Sequence, residues 1–279
     1  MPSTAPPQNL PLSQAITIAA QAIGEVISGR SLTHVLEELE PQERPIVQSI
    51  TFDTFRRWTR SHALIKEFVP KPPSKPVEHV LAVAITLLLD RTDVAKKGYA
   101  THTIVNESVS ACGQYDETIY AKGLMNAVLR KVSAALDAQG VKRPDHNSIG
   151  ESYFPPWWIA NLKKNYPKSW QSICLQQSQR PPLTLRVNQR ATTLVDYAAL
   201  LQAAQIEAEV IGQVANLELD AALVIKEPIP VASIPGFFDG LVSVQDAGAQ
   251  LAATLLRPMT GERVLDMCAA PGGKAAHLL

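Results

Sequence analysis

The run VLAVAITLLL, Val80 to Leu89, constrains the chain more than any other stretch. A helix through it is apolar on every side, so it has no face to give to water and must be enclosed by other helices. Its ten residues are about half the length needed to span a bilayer, so the enclosure is a protein interior. The flanking sequence supplies the walls. Ser13 is expected to cap a first helix with Ile16, Ala20, Ile23 and Ile27 on one face, and Gly29 to end it. A second helix is expected after Pro45, carrying Val47, Ile50, Phe55 and Trp58. KPPSKP, Lys71 to Pro76, breaks the chain ahead of the enclosed helix. A later helix places Met125, Val128, Leu129, Val132 and Leu136 in one stripe. With no strand-like alternation in the way, residues 1–140 are expected to form an all-α bundle.

The texture changes at GVKRPDHNSIGESYFPPW, Gly140 to Trp157, where turn and linker residues dominate. Pro155 and Pro156 suit the start of a helix with Trp157, Trp158 and Leu162, the two tryptophans acting as packing anchors. LTLRVNQR, Leu183 to Arg190, has the period of a strand. Leu183, Leu185 and Val187 point one way; Thr184, Arg186 and Asn188 point the other. A helix with Leu194, Tyr197, Ala198 and Leu201 follows, then the strand-like AEVI and ALVIKE. Residues 141–232 thus read as a linker and a small α/β connector. GLVSVQ, Gly240 to Gln245, is a further short strand, and Asp246 caps the helix that begins DAGAQLAATLL.

Lys and Arg number 26 and so do Asp and Glu, so no global field draws the chain to nucleic acid or membrane; any such attraction is local. Cys112, Cys174 and Cys268 stand far apart with no CxxC pair, which speaks against a disulfide framework or a zinc ribbon and suits a reducing cytoplasm. The opening MPSTAPPQNLPLSQ has neither the basic start nor the apolar centre of a secretion signal. The six histidines lack metal-ligand spacing, and His102 and His277 read as structural or exposed, so no metal is expected.

Chemistry concentrates in VLDMCAAPGGKAAHLL, Val264 to Leu279. Val264 and Leu265 suit a buried parallel strand with Asp266 at its carboxyl end, the place where open α/β sheets bind ligands. Pro271, Gly272 and Gly273 form a bend that lets backbone N–H groups approach a ligand, and Lys274 opens a helix whose first N–H groups favour an anion. A P-loop is excluded, because Cys268 stands where its first glycine belongs and Ala275 follows the lysine. A G-x-G-x-x-G fingerprint is missing as well. Two uses stay open: a strand-to-helix turn with glycines for geometry alone, or a loop for a small anionic ligand.

DMCAAPGGKAAHLL resembles the nucleotide-binding motif of the RNA cytosine carbon-5 methyltransferases, whose signature is D-x-C-A-A-P-G-G-K. VSVQDAGAQLAATLL and PLTLRVNQR are similar to family segments ahead of it. HTIVNESV and KGLMNAVLRK resemble the most recognisable helices of a NusB-like domain, found in the Fmu/Sun branch. The resemblance covers nearly the whole chain in order. It implies a fold of α plus α/β class: a NusB-like RNA-binding bundle (1–140), the connector (141–232), and the incomplete start of a Rossmann-like methyltransferase domain (233–279).

The resemblance also implies transfer of a methyl group from S-adenosylmethionine to carbon 5 of a cytosine in 16S ribosomal RNA. A cysteine thiolate adds to carbon 6 and so makes carbon 5 nucleophilic. In the family that cysteine, a second one that assists release, and the acidic residues for ribose and base lie downstream of the Gly-rich motif. The chain is therefore expected to be the front portion of such an enzyme, cut inside its first cofactor motif. It is expected to have no catalytic residue of its own, no activity alone, and no membrane partner, and to act as a monomer in the cytoplasm. The cofactor contacts implied are Cys268, Ala269, Ala270, Pro271, Gly272, Gly273 and Lys274. RNA contacts are expected from Lys122, Arg130 and Arg186; Lys122, Asn126 and Arg130 recur at i+4 opposite the Met125 stripe. Arg186 and Asn188 have a second use open to them, at the domain junction. Arg56, Arg57 and Arg60 form either a solvated face or a phosphate contact. The rival function is a non-catalytic NusB-like RNA-binding or antitermination-type module.

Overall fold

The computed structural model describes residues 10–90, 98–138 and 154–279. Most of the expected linker from Gly140 to Trp157 lies outside the described residues. Two compact units result, one up to Gln179 and one from Arg180 to Leu279.

The first unit is helical. Helices α1 (Leu12–Ile27), α2 (Leu32–Glu37), α3 (Arg44–Arg56), α4 (Trp58–Phe68), α5 (Lys75–Asp90), α6 (Thr101–Cys112), α7 (Asp116–Ile119) and α8 (Lys122–Ala138) build the bundle. At its centre is α5, where every residue from Val80 to Asp90 is buried, as a helix without a polar face requires. Around it pack Ile16, Ala19 and Ile23 of α1, Leu64 and Ile65 of α4, Ile104 of α6, and the Met125, Val128, Leu129, Val132, Leu136 stripe of α8. Three sequence expectations are corrected here. Ser13 is not the cap of α1: Pro11 precedes the helix, and the Ser13 N–H is taken by Glu107 Oε2 of α6 at 3.0 Å. Ile27 is exposed, because the buried stripe of α1 ends at Ile23. The helix after Pro45 does not run through Trp58; the backbone leaves helical geometry at Arg57 (φ −110°, ψ 13°), so Trp58 starts α4. Helix α2 has no signature in the sequence; its six residues are too short to print a period. Helices α9 (Pro156–Asn165) and α10 (Trp170–Ser178) share a small cluster of Ile159, Leu162, Cys174, Trp158 and Trp170. Trp158 is an anchor, whereas Trp157 is exposed with its ring edge-on to Trp158.

The second unit is a four-stranded antiparallel sheet in the order β2–β5–β1–β6, with β1 Leu183–Val187, β2 Ala208–Val210, β5 Ala222–Ile225 and β6 Val242–Val244. A separate hairpin pairs β3 (Gln213–Val214) with β4 (Leu217–Glu218). Strand β1 is central: Leu185 lies opposite Leu223 of β5 and Val244 of β6, and Arg186 opposite Ala222 and Ser243. One face joins Leu185, Val187, Leu223, Ile225 and Val242 to Tyr197 and Leu201 of α11 (Leu194–Ala203). The other face is closed too, because α12 (Ala247–Leu256) packs along it, and β1 is buried on both sides. Asp246 caps α12 as expected, its carboxylate accepting from the Gly248 N–H at 3.1 Å. The expected parallel strand at Val264–Asp266 does not form. Leu265 is 82% exposed, and no described strand runs parallel to it; a strand pairs only where a neighbour offers its backbone. The final turn is α13 (Ala275–Leu278).

Candidate cofactor loop and the polar relay beneath it

Residues 266–274 make a tight loop between the end of α12 and α13. Asp266 shapes its entry, with Oδ1 accepting from the Cys268 N–H at 2.9 Å. Cys268, Ala269, Ala270 and Pro271 are exposed, Gly272 and Gly273 half-buried, and Lys274 exposed at the N-cap of α13. The two glycines differ. Gly272 has φ +101°, a conformation that a side chain resists, and a Cβ there would meet nothing within 4 Å. Gly273 has no positive φ, and a Cβ would find only Gln245 Nε2, at 4.0 Å. The turn therefore demands glycine at 272 alone. Among the described residues the N–H groups of Gly273 and Lys274 make no hydrogen bond, whereas Ala276 N–H is bonded to Gly272 O.

The second face of the sheet holds a polar relay under this loop. Arg186 is 8% exposed, and its Nη1 donates both to Gln245 Oε1 (2.8 Å) and to the Gly273 carbonyl (2.7 Å). Gln250 of α12, fully buried, donates from Nε2 to Leu185 O and Gln245 O. Gln245 Nε2, Gln250 Oε1, Ser243 Oγ and His277 Nδ1 are buried in the same layer with no partner. Burial holds the Arg186 guanidinium below its usual pKa. Burial, helped by the neighbouring Arg186 charge, also pushes His277 below the ordinary histidine value. Arg186, one of the expected RNA contacts, is folded under α12 and the loop and spends its guanidinium on Gln245 and Gly273. Asn188 is likewise occupied, donating from Nδ2 to Gly240 O.

On the helical unit, Lys122 and Arg130 are exposed on the face of α8 opposite its core stripe. Arg130 donates from Nε to Asn126 Oδ1 at 2.9 Å and lines a groove of about 430 Å³ with Thr101, His102, Asn106, Ser133 and Asp137. Lys122 is turned to the end of α6, its side chain lying over Gly113, where a cation faces the negative end of the helix dipole. The two cations share a face but not a pocket. Arg56 and Arg57 are paired with Asp53 and Asp90, which accounts for their clustering without a ligand. Among the described residues no three His, Cys, Asp or Glu side chains gather as a metal would need, and no helix is long and apolar enough to cross a membrane.

Comparison with known proteins finds two family matches along the chain. Residues 13–134 match the NusB family, and residues 154–232 match the ferredoxin-like domain of the RsmF/B-like methyltransferases. Ribosomal RNA small subunit methyltransferase B of Pseudomonas syringae is 36% identical over 266 residues, covering 94% of this chain and 57% of that protein. The protein of the same name from Vibrio cholerae is 33% identical, over 94% of this chain and 59% of its own. The crystal structure of PH0851 superposes with a TM-score of 0.64 at 20% identity, covering all of this chain and 61% of that one, a likeness of fold. The chain therefore spans about three fifths of the length of the curated relatives it matches. With residues that match the NusB family followed by a match to the RsmF/B-like ferredoxin-like domain, the chain is similar, at about one-third identity along 94% of its length, to ribosomal RNA small subunit methyltransferase B.

Proposed function

We propose that the chain serves S-adenosylmethionine-dependent methylation of carbon 5 of a cytosine in 16S ribosomal RNA, in the cytoplasm, as a monomer. The observation that carries this reading is the cofactor loop: an open, glycine-built turn with two unbonded N–H groups, in a chain similar to ribosomal RNA small subunit methyltransferase B. Residues 268–274 would hold the cofactor, which supplies an electrophilic methyl group when bound. Gly272 sustains the turn, Asp266 fixes its entry, and the Gly273 and Lys274 N–H groups are free to meet an anionic group.

None of the three cysteines of this chain is assigned as the nucleophile. Burial pushes the Cys112 thiol up to about 11 and raises that of Cys174, the opposite of what thiolate attack needs. Cys268 belongs to the cofactor loop. The helical unit would bring RNA to the site through Lys122 and Arg130.

The test uses this chain joined to the downstream part that its longer relatives carry, incubated with methyl-labelled S-adenosylmethionine and small-subunit ribosomal RNA and read by nucleoside mass spectrometry. 5-Methylcytidine is the expected product. RNA binding without methyl transfer would replace this reading by that of a non-catalytic RNA-binding module.

A further inference from the structure

We propose that Arg186, in the ferredoxin-like unit, is a positioning residue for the cofactor loop, holding the Gly273 carbonyl so that the Lys274 N–H faces outward. The peptide bond supplies the logic. The Gly273–Lys274 bond is not among the cis bonds, and in a planar trans peptide the C=O and the following N–H point in opposite directions. Arg186 Nη1 draws the Gly273 oxygen toward the sheet at 2.7 Å. The Lys274 N–H is thereby turned away from the sheet, and it makes no hydrogen bond among the described residues. One bond to a buried cation thus sets the direction of a donor on the far side of the loop.

Arg186 is itself held in place. Its guanidinium shares the same nitrogen with Gln245 Oε1, and the Gln245 backbone is tied on both sides: its N–H donates to Thr184 O and its C=O accepts from Gln250 Nε2. Strand β1, strand β6 and helix α12 therefore meet at one guanidinium. No carboxylate forms an ion pair with Arg186 among the described residues, so its positive charge stays behind the loop rather than being cancelled there. His277, held toward its neutral form first by burial, is pushed the same way by this charge. A bond from a charged donor is stronger than one from a neutral donor, and a lysine could supply the charge without the rigid plane that aims the two hydrogens of Nη1 at two acceptors.

The test is hydrogen–deuterium exchange on the full chain, comparing wild type, Arg186→Lys and Arg186→Met. In Arg186→Met, peptides within 269–277 should exchange about tenfold faster or more, the order expected when a hydrogen bond to a charged group is removed. Peptides from β1 and β5 should hold their rates, and Arg186→Lys should recover part of the loop protection. An unchanged loop, or an equal acceleration of loop, β1 and β5, would overturn the proposal; the latter makes Arg186 a general support of the unit. A calorimetric titration with S-adenosylmethionine adds a second arm, and this arm rests on the function proposed above. Binding by wild type with a markedly weaker Arg186→Met supports the positioning role, and equal affinities overturn it. A wild type that binds no cofactor counts against the proposed function, and the exchange result then decides the role of Arg186 alone.

Discussion

The interior of the helical unit and the second face of the sheet both bury polar side chains, and they satisfy them differently. In the bundle the bonds are mostly local. Thr17, Thr51 and Thr54 each donate to the carbonyl four residues earlier, and Ser61 meets Thr86 across the α4–α5 contact. On the sheet they are long-range: Arg186 reaches Gln245 and Gly273, 59 and 87 residues away. Ser108 Oγ and Arg44 Nε are exceptions in the bundle, on different helices, whereas the sheet face has four buried orphans together. A hydroxyl that bonds its own helix leaves the core free to be chosen for packing. A guanidinium that bonds two distant segments ties both of them to its own strand.

The sharpest way to break the contrast is to damage each region by its own means. Leu88, fully buried in α5, should cost about 2–5 kcal/mol on replacement by Ala, read as a fall in the midpoint of thermal unfolding of the helical unit. Leu265→Ala, at a residue 82% exposed, should change stability by less than about 0.5 kcal/mol. A comparable destabilisation at both would mean that the terminal segment is as tightly packed as the bundle.

The next contrast lies inside the loop. Gly272→Val forces a β-branched residue into φ +101°, which costs about 1–3 kcal/mol of local strain; affinity for S-adenosylmethionine should drop about tenfold or more. Gly273→Ala should leave the turn intact, since its Cβ meets only Gln245 Nε2 at 4.0 Å. Any loss of cofactor affinity at Gly273→Ala therefore reports close approach by the ligand, and titration calorimetry on the two variants separates the causes.

The two cations of α8 should show a smaller effect. Removing one cation from a phosphate lowers the slope of log K against log salt by about 0.7 for single strands. Lys122→Ala and Arg130→Ala should each do so in filter binding of ribosomal RNA. Because Lys122 lies over Gly113 while Arg130 lines the groove, a slope change confined to Arg130 would locate the RNA on the groove side.

Acid gives the smallest effect, with a defined sign. His79 is held below its ordinary 6.5 by burial. Glu78 is lowered as well: burial opposes its charge, but the Lys75 hydrogen bond and the nearby His62, Lys75 and His79 charges outweigh it. Both pKa values are depressed in the folded state, so both contributions are present at neutral pH and are lost on acidification. The His79 contribution falls away as pH drops below 6.5 and the Glu78 contribution below 4.5. The unfolding midpoint of the helical unit should decline across those two windows, and replacing His79 by Gln should flatten the first.

These differences also explain what can be read in the sequence. The enclosed helix, the α8 stripe, the Asp246 cap and the alternation of β1 follow from period and local chemistry, and the structure has all four. The Arg186 relay is invisible there for the same reason that it matters. Alternation places Arg186 opposite Leu185, which for an antiparallel sheet suggests water, and only the arrival of α12 on that face buries it. Val264–Asp266 has strand composition but no described neighbour, and composition alone cannot pair a strand. Ser13 has the residue type of a cap, yet the capping group comes from Glu107.

That last contact ties the start of the bundle to a point 94 residues further along the chain. Synthesis proceeds from the N-terminus at about 5–20 residues per second, so about 5–20 seconds pass between the making of Ser13 and the making of Glu107. Through that interval helix α1 lacks its carboxylate, and the α5 and α6 surfaces it packs against are made only in the later part of it. The first helix to be made is the one that waits longest for its capping group.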